Sequence, residues 1–144
     1  MSDMLYGLEG LNLTPQEINK VLYHRQNMAN PFITPEGQPM TIYSTGIKIP
    51  EGKNKGKFVS VPGYLGNGKI ETNDEALWNF WKKDIESGKW PIYGSSKELN
   101  QRDQYVHQVM DKDIASWMQQ QEANQPYRAM DSVFWQDPLG FTIK

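Results

Sequence analysis

The chain contains no cysteine, which excludes disulfide bonds and thiolate metal sites. It has no run of about 18 apolar residues, and its first residues lack the basic start and apolar stretch of a secretory signal. Neither sign of charge dominates, since 15 Lys and Arg stand against 17 Asp and Glu, a formal net charge of -2. We therefore expect synthesis in the cytoplasm, no membrane insertion and no specific nucleic-acid partner.

The residues that are abundant suit one compact unit with a core of large side chains. The 144 residues fall within the usual range for a single domain. Mean hydropathy is only -0.71, but five Trp, seven Tyr and five Phe can each bury a large area. The core should therefore depend on aromatic side chains.

Three segments carry helix-start signals. Thr14-Pro15-Gln16-Glu17 and Thr72-Asn73-Asp74-Glu75 both have the form of a capping box, and Ser95-Ser96-Lys97-Glu98 opens a third, longer helix. In the first helix an apolar stripe is predicted at Ile18, Val21, Leu22, Arg25 and Met28. Pro31 should end that helix, and Gly88 should end the second.

The extended segments lie between the first two helices. Residues 41–49 are rich in β-branched residues and residues 58–61 form a second apolar run, so an antiparallel hairpin is predicted, with Gly46 as a bulge. Lys69-Ile70 is a third short strand. The predicted fold class is α+β, with three helices packed on a two- or three-stranded antiparallel sheet. Residues 14–121 form the domain, residues 1–13 an N-terminal arm and residues 122–144 an extended C-terminal arm.

The aromatic residues divide into core and surface candidates. Trp78 and Trp81 are at helical spacing and should belong to the core. Five others lie in irregular or terminal segments, where aromatic residues often contact a partner. The predicted partner-binding residues are Trp90, Tyr127, Phe134, Trp135 and Phe141.

Catalytic and metal motifs are not evident. His24 and His107 lie in predicted helices without a nucleophile motif, and two histidines are too few for a catalytic zinc site. The acidic groups Glu71, Asp74 and Glu75 could serve glycan hydrolysis, but acids in a first helical turn also stabilise the helix dipole. We predict no catalytic, cofactor-binding or metal-binding residues, no cofactor and no enzymatic activity.

Several short segments together resemble a small domain of tailed-bacteriophage virion and ejected proteins. The matching segments lie within residues 13–114 and are Leu13-Thr14-Pro15-Gln16-Glu17, Gly37 with Thr41-Ile42, Phe58-Val59-Ser60-Val61-Pro62, Glu75-Ala76, Gly88-Lys89-Trp90-Pro91 and Tyr105-Val106-His107. The resemblance implies a virion-associated, non-catalytic module. It would be made in the host cytoplasm and bind other phage virion proteins in multiple symmetric copies, at a tail, head-tail or capsid accessory position.

Two other functions stay open at this point. One is a peptidoglycan- or glycan-binding or processing accessory of phage entry, for which Glu75 would be an acid to test. The other is a small phage protein that acts on a target inside the host cell.

Overall fold

The computed structural model describes residues 7–123, and they form an α+β fold with three helices and small antiparallel sheets. The helices are α1 (Pro15–Met28), α2 (Asp74–Glu86) and α3 (Ser96–Ala123). The strands are β1 (Phe32–Ile33), β2 (Pro39–Met40), β3 (Ser44–Lys48), β4 (Phe58–Pro62), β5 (Tyr64–Gly66), β6 (Lys69–Ile70) and β7 (Ile92–Tyr93). The predicted fold class is confirmed.

The sheets are small and antiparallel. Strands β3, β4 and β7 form a three-stranded sheet with β4 in the centre, while β1–β2 and β5–β6 form two-stranded sheets. Pairing between β3 and β4 runs without interruption from Ser44 opposite Pro62 to Lys48 opposite Phe58. Gly46 is therefore a regular strand residue and not the predicted bulge.

The helix ends follow local chemistry that the sequence makes visible. In α1 the Thr14 hydroxyl accepts a hydrogen bond from Glu17 N at 3.1 Å, and the Glu17 carboxylate accepts one from Thr14 N at 2.9 Å. This is the predicted capping box. In α2 the cap is Asn73, one residue after the predicted Thr72, and its side chain accepts from Ala76 N.

Helix α2 and one face of the three-stranded sheet enclose an aromatic core. The core contains Ile47, Ile49, Val59, Val61, Leu77, Trp78, Trp81, Ile85 and Trp90. The Trp81 and Trp90 rings meet edge to face at 5.2 Å between centroids, and Trp81 Nε1 donates to Pro62 O at 2.8 Å. The core positions predicted for Trp78 and Trp81 are confirmed.

Trp90 is wrongly predicted as a partner-binding residue. It has no exposed surface, because its ring packs against Trp81 and Tyr23 in the aromatic core. Its segment is irregular in backbone, but Lys89, which precedes it, covers the ring with its ammonium group at 4.9 Å from the centroid. Trp90 is thus a core residue. Tyr127, Phe134, Trp135 and Phe141 lie outside the described residues.

A second apolar cluster joins the start of the chain to α1 and α3. It contains Leu8, Val21, Ile42, Val106 and Met110, with Leu11 and Leu13 packed against it. Residues 7–13 of the predicted N-terminal arm therefore belong to the folded unit.

The chain divides into two compact units, at residues 1–110 and 111–144, whereas the predicted domain extended to residue 121. The described part of the second unit, residues 111–123, is helical.

Gly63 marks a place where two backbone segments touch. Its N–H donates to Tyr43 O at 2.7 Å and its carbonyl accepts from Glu71 N at 2.8 Å. A Cβ atom at this position would lie 2.7 Å from Tyr43 O and 2.7 Å from the Thr45 hydroxyl. Movement of the Thr45 side chain alone cannot relieve this overlap, because the Tyr43 oxygen belongs to the backbone.

We expect Gly63→Ala to lower the free energy of unfolding by about 1–3 kcal/mol through this overlap. Gly46→Ala is the matched control, because its Cβ would meet only the side chain of Leu99. Urea unfolding of both variants measures the difference. A loss no larger for Gly63→Ala than for Gly46→Ala would contradict the steric argument.

Candidate functional site

The second face of the three-stranded sheet is polar, and it lies against α1 and α3. The buried residues of α1 are Glu17, Lys20, Val21 and His24, so the inward stripe of this helix is largely polar. Of the predicted apolar stripe, Val21 is buried and Ile18 packs against the second apolar cluster, whereas Leu22, Arg25 and Met28 are only partly buried. The fold therefore buries ionisable groups beside the sheet.

One buried group is Lys20, whose side chain has no exposed surface. Its ammonium donates to the hydroxyls of Ser44 in β3 and Ser60 in β4, and to Asp103 Oδ1 in α3 at 2.9 Å. Its three N–H donors thus have three acceptors. Burial lowers the pKa of Lys20, and the neighbouring Asp103 carboxylate opposes this.

Asp103 completes this polar cluster from α3. Its carboxylate accepts from the Ser60 hydroxyl at 2.8 Å and from the Ser44 hydroxyl at 3.1 Å, besides its ion pair with Lys20. Its side chain is 16% exposed, so the pair lies at the edge of the interior. We call Lys20, Ser44, Ser60 and Asp103 the lysine cluster.

A second cluster is centred on Glu17, also fully buried. Arg102 in α3 holds the carboxylate through Nε at 2.8 Å and through an Nη atom at 2.6 Å, and the Tyr93 hydroxyl donates to Oε2 at 2.6 Å. Arg102 also donates to Asn12 O at 2.6 Å. We call Glu17, Tyr93 and Arg102 the glutamate cluster.

Opposing effects act on the acid of the glutamate cluster. Burial raises the pKa of Glu17, but hydrogen bonds from Arg102, Tyr93 and Thr14 N lower it, and the net pKa is below its usual range. Burial and the adjacent carboxylate raise the pKa of Tyr93, so this phenol is a hydrogen-bond donor at neutral pH. The carboxylate is therefore stabilised as an anion.

The lysine cluster brings together a serine and a lysine, a combination that can serve nucleophilic catalysis when the amine is neutral. Here Ser60 and Lys20 are both fully buried, and the hydroxyls donate to Asp103. A substrate cannot reach the Ser60 oxygen in this arrangement. The geometry is that of a structural network between α1, the sheet and α3.

Two of the three predicted acids, Asp74 and Glu75, lie elsewhere, on an open cleft. A cleft of about 450 Å³ is lined by Lys48, Pro50, Glu51, Asp74, Glu75, Trp78 and Asn79. Asp74 and Glu75 are exposed and begin α2, as their helix-dipole interpretation predicts. Glu71 is outside the cleft lining, and its carboxylate accepts a hydrogen bond from Asn73 N.

The remaining chemical predictions concern histidine, metals and membranes. The His24 Nδ1 atom lies 2.6 Å from the Thr41 hydroxyl in the interior, and His107 is exposed on α3. Within residues 7–123, no group of three or more His, Asp or Glu side chains is placed to hold a metal ion. In the same residues, no helix is long and apolar enough to cross a bilayer.

Large apolar side chains are exposed on and beside the two short sheets. In β1, Phe32 is 38% exposed and Ile33 is 45% exposed. Ile70 of β6 is 40% exposed, and Tyr43, which precedes β3, is 45% exposed. Phe32 stacks on Tyr64 at 6.4 Å, and Tyr64 is opposite Ile70 in the β5–β6 register. Tyr43 contacts the adjacent Gly63. We call Phe32 and Ile70, which both neighbour Tyr64, the hairpin patch.

Sequence reasoning did not find the hairpin patch or the buried clusters. Three prolines between Pro31 and Pro39 favour a connecting loop, whereas the structure has β1 in this segment and β2 beginning at Pro39. The sequence does contain a signal for the clusters, because Glu17, Lys20 and His24 recur at helical spacing. Arg102 and Asp103 carry the charges opposite to those of Glu17 and Lys20, in the same order along the chain.

Comparison with protein-family models, with curated proteins and with solved structures found no match to this chain.

We expect Asp103→Asn to lower the free energy of unfolding by about 3 kcal/mol or more, because the buried Lys20 charge loses its partner. Lys20→Met should cost less, since Asp103 retains some contact with water. In the double variant the losses should not add, because the second change removes a group that the first left unpaired. Chemical denaturation gives all four values, with Glu36→Gln, at an exposed acid in the β1–β2 turn, as the control. Additive losses would show that the two side chains are not coupled.

The glutamate cluster predicts a pH-dependent contribution to stability. Because the folded pKa of Glu17 is lowered, its contribution is fully present above the unfolded pKa of about 4.3 and is lost as pH falls further. At pH 7, Glu17→Gln should cost at least about 2 kcal/mol through the lost charged hydrogen bonds.

Urea unfolding of wild type and Glu17→Gln between pH 7 and pH 3 measures this contribution. The difference between them should shrink below about pH 4 as the wild-type carboxylate is protonated. Glu36→Gln serves as the control, because Glu36 is an exposed acid in the β1–β2 turn. A difference that stays constant down to pH 3 would contradict the assigned role of the Glu17 carboxylate.

Proposed function

We propose that the protein is a non-catalytic structural component of a tailed-bacteriophage virion that binds other virion proteins. The phage assignment rests on the short segments within residues 13–114 that resemble a virion-associated domain. The single structural observation that supports a binding role is the hairpin patch, which exposes large apolar side chains on one part of the folded unit.

The distribution of polar groups supports the non-catalytic part of the proposal. The ionisable side chains in the interior, Glu17, Lys20, Arg102 and Asp103, bind one another and the backbone. Such pairing fixes the fold and leaves these groups saturated with hydrogen bonds. Chemistry on a substrate would need at least one of them to be accessible and free to exchange partners.

A glycan-binding accessory of phage entry is the second candidate, and the cleft favours it. Carboxylates of Glu51, Asp74 and Glu75, with Asn79 and Lys48, offer hydrogen-bonding groups of the kind that sugars use. Trp78 lines the same cleft, but it is only 5% exposed and offers little surface for stacking on a sugar ring. We therefore place this candidate second.

Mass spectrometry of gradient-purified phage particles tests the proposal. We expect peptides of this chain in the particle fraction at a fixed ratio to known virion proteins, after washes that remove host cytoplasmic proteins. An abundant host enzyme in the same lysate is the control for carry-over. Absence of the chain from intact particles would refute the virion assignment.

Incubation with purified peptidoglycan separates the two candidates. A structural virion protein should neither sediment with peptidoglycan nor clear it, and Glu75→Gln should change nothing. Sedimentation that Glu75→Gln abolishes would favour a glycan-binding cleft, and clearing of the suspension would favour an enzyme.

A further inference from the structure

We propose that Lys20 and Asp103 of the lysine cluster are a covalent modification site, at which the two side chains condense to an isopeptide bond with loss of one water molecule. The bond joins α1 to α3 within one chain, and its formation needs no partner, cofactor or oxidant. This inference goes beyond the proposed function and does not depend on it. It rests on the distances, the burial and the hydroxyl groups of the cluster.

The two reacting groups are in contact in the folded chain. Lys20 Nζ lies 2.9 Å from Asp103 Oδ1, although the two residues are 83 positions apart. The Lys20 side chain has no exposed surface, so the packing of α1 holds its ammonium in this place. Well-oriented groups of one molecule react as if each were present at an effective concentration of about 10⁵ M or more. Proximity therefore offsets the unfavourable equilibrium of amide formation in water.

Burial favours the neutral amide over the ion pair. A buried ammonium and carboxylate lose their hydration, so an uncharged replacement is often at least as stable. Burial also lowers the pKa of Lys20, which brings the amine closer to the uncharged form that attacks a carbonyl carbon. The carboxylates of Asp103 and Glu17 oppose this change, but Glu17 is itself bound by Arg102 and Tyr93. The amide keeps one N–H donor and one carbonyl acceptor for the hydroxyls of the cluster.

The serine hydroxyls are placed to assist each step. One proton passes from Lys20 Nζ to Asp103 Oδ1, which gives a neutral amine and a carboxylic acid. The nitrogen lone pair then bonds to Asp103 Cγ, and the Ser44 hydroxyl, 3.1 Å from Oδ2, stabilises the negative charge that develops there. A second proton leaves the nitrogen through Ser60, whose oxygen accepts from Nζ and donates to Oδ1 at 2.8 Å. The Cγ–Oδ1 bond breaks, so Oδ1 leaves as water and Oδ2 becomes the amide oxygen.

The cluster reaches solvent on the side from which water must leave. Lys20 and Ser60 are fully buried, whereas the Asp103 side chain is 16% exposed. The oxygen is therefore released from the partner that lies at the edge of the interior. The Glu17–Arg102 pair has no such reaction, because a guanidinium stays protonated and is a poor nucleophile.

Intact-mass spectrometry of the folded full chain tests this proposal. After incubation at neutral pH, wild type should be lighter than its sequence mass by one water molecule, and denaturation should not restore that mass. Trypsin should then release residues 1–25 joined to residues 103–112, because trypsin does not cleave after an acylated lysine. Tandem mass spectra of the joined peptides locate the bond.

Two variants separate the reaction from the contact. Lys20→Arg keeps a cation beside Asp103 but cannot form the amide, so it should keep its full mass. Ser60→Ala removes the proton relay, so the cross-linked fraction after equal incubation should fall at least about tenfold. Ser116→Ala, at an exposed serine of α3, is the matched control and should react like wild type. Thermal unfolding checks that each variant is folded.

A folded wild-type chain that keeps its full sequence mass would overturn the proposal. A water loss that maps to other residues, or that persists in Lys20→Arg, would do the same. Equal cross-linking of Ser60→Ala and wild type would contradict the role of Ser60 as proton relay. The virion assignment fails on a different measurement, the particle composition, so the two proposals can fail separately. The ion pair and its predicted coupling describe the chain before this reaction.

Discussion

The interior depends on two acid–base pairs between α1 and α3. Glu17 binds Arg102 and Lys20 binds Asp103, so the order of charges along α1 is opposite to the order along α3. Exchanging the partners would place like charges together in the interior, where repulsion is only weakly screened. The pairs therefore fix the register of the helices as well as their contact. Since a buried ion without its partner is costly, α1 and the first turns of α3 must pack together.

The three-stranded sheet separates this polar interior from the aromatic one. In β4, Val59 and Val61 contribute to the core with α2, while Ser60 between them points to Lys20 and Asp103. Successive side chains of a strand point to opposite faces of the sheet, so β4 contributes to both the aromatic and the polar layer. Because both sides are covered, the four residues of β4 from Val59 to Pro62 are all buried. The polar Ser60 is tolerated there because it is hydrogen-bonded.

How far the sequence predicts this structure depends on how local each interaction is. The capping box of α1, the β3–β4 hairpin, the end of α2 near Gly88 and the core positions of Trp78 and Trp81 all follow from neighbouring residues. The clusters do not, since Glu17 and Arg102 are 85 positions apart. Hydrophobic periodicity assigns charged residues to the outside, so it finds Val21 on the buried side of α1 but misses Glu17, Lys20 and His24.

A lack of local signal also explains why the burial of Trp90 and the strands β1 and β2 are not predicted from the sequence. Trp90 lies in an irregular segment, and nothing in its neighbours shows that Trp81 and Tyr23 enclose it. The strands β1 and β2 have two residues each, too few for an alternating pattern to be seen. The hairpin patch could be located only once the strands were placed.

The polar interior and the exposed side chain of Tyr43 are physically linked through residues 41–44. Thr41 is held from α1, since Asn27 donates to its carbonyl at 2.7 Å and His24 contacts its hydroxyl. Ile42 is buried in the second apolar cluster, and the Ser44 hydroxyl is bound within the lysine cluster.

Tyr43 therefore lies between two anchored residues. Fixed neighbours on both sides leave it few alternatives to its positive φ, and its ring is directed outward. Strain of this kind persists only where the surrounding structure determines it. The buried charges of α1 and α3 thus help to set the conformation of an exposed aromatic residue that takes no part in the core.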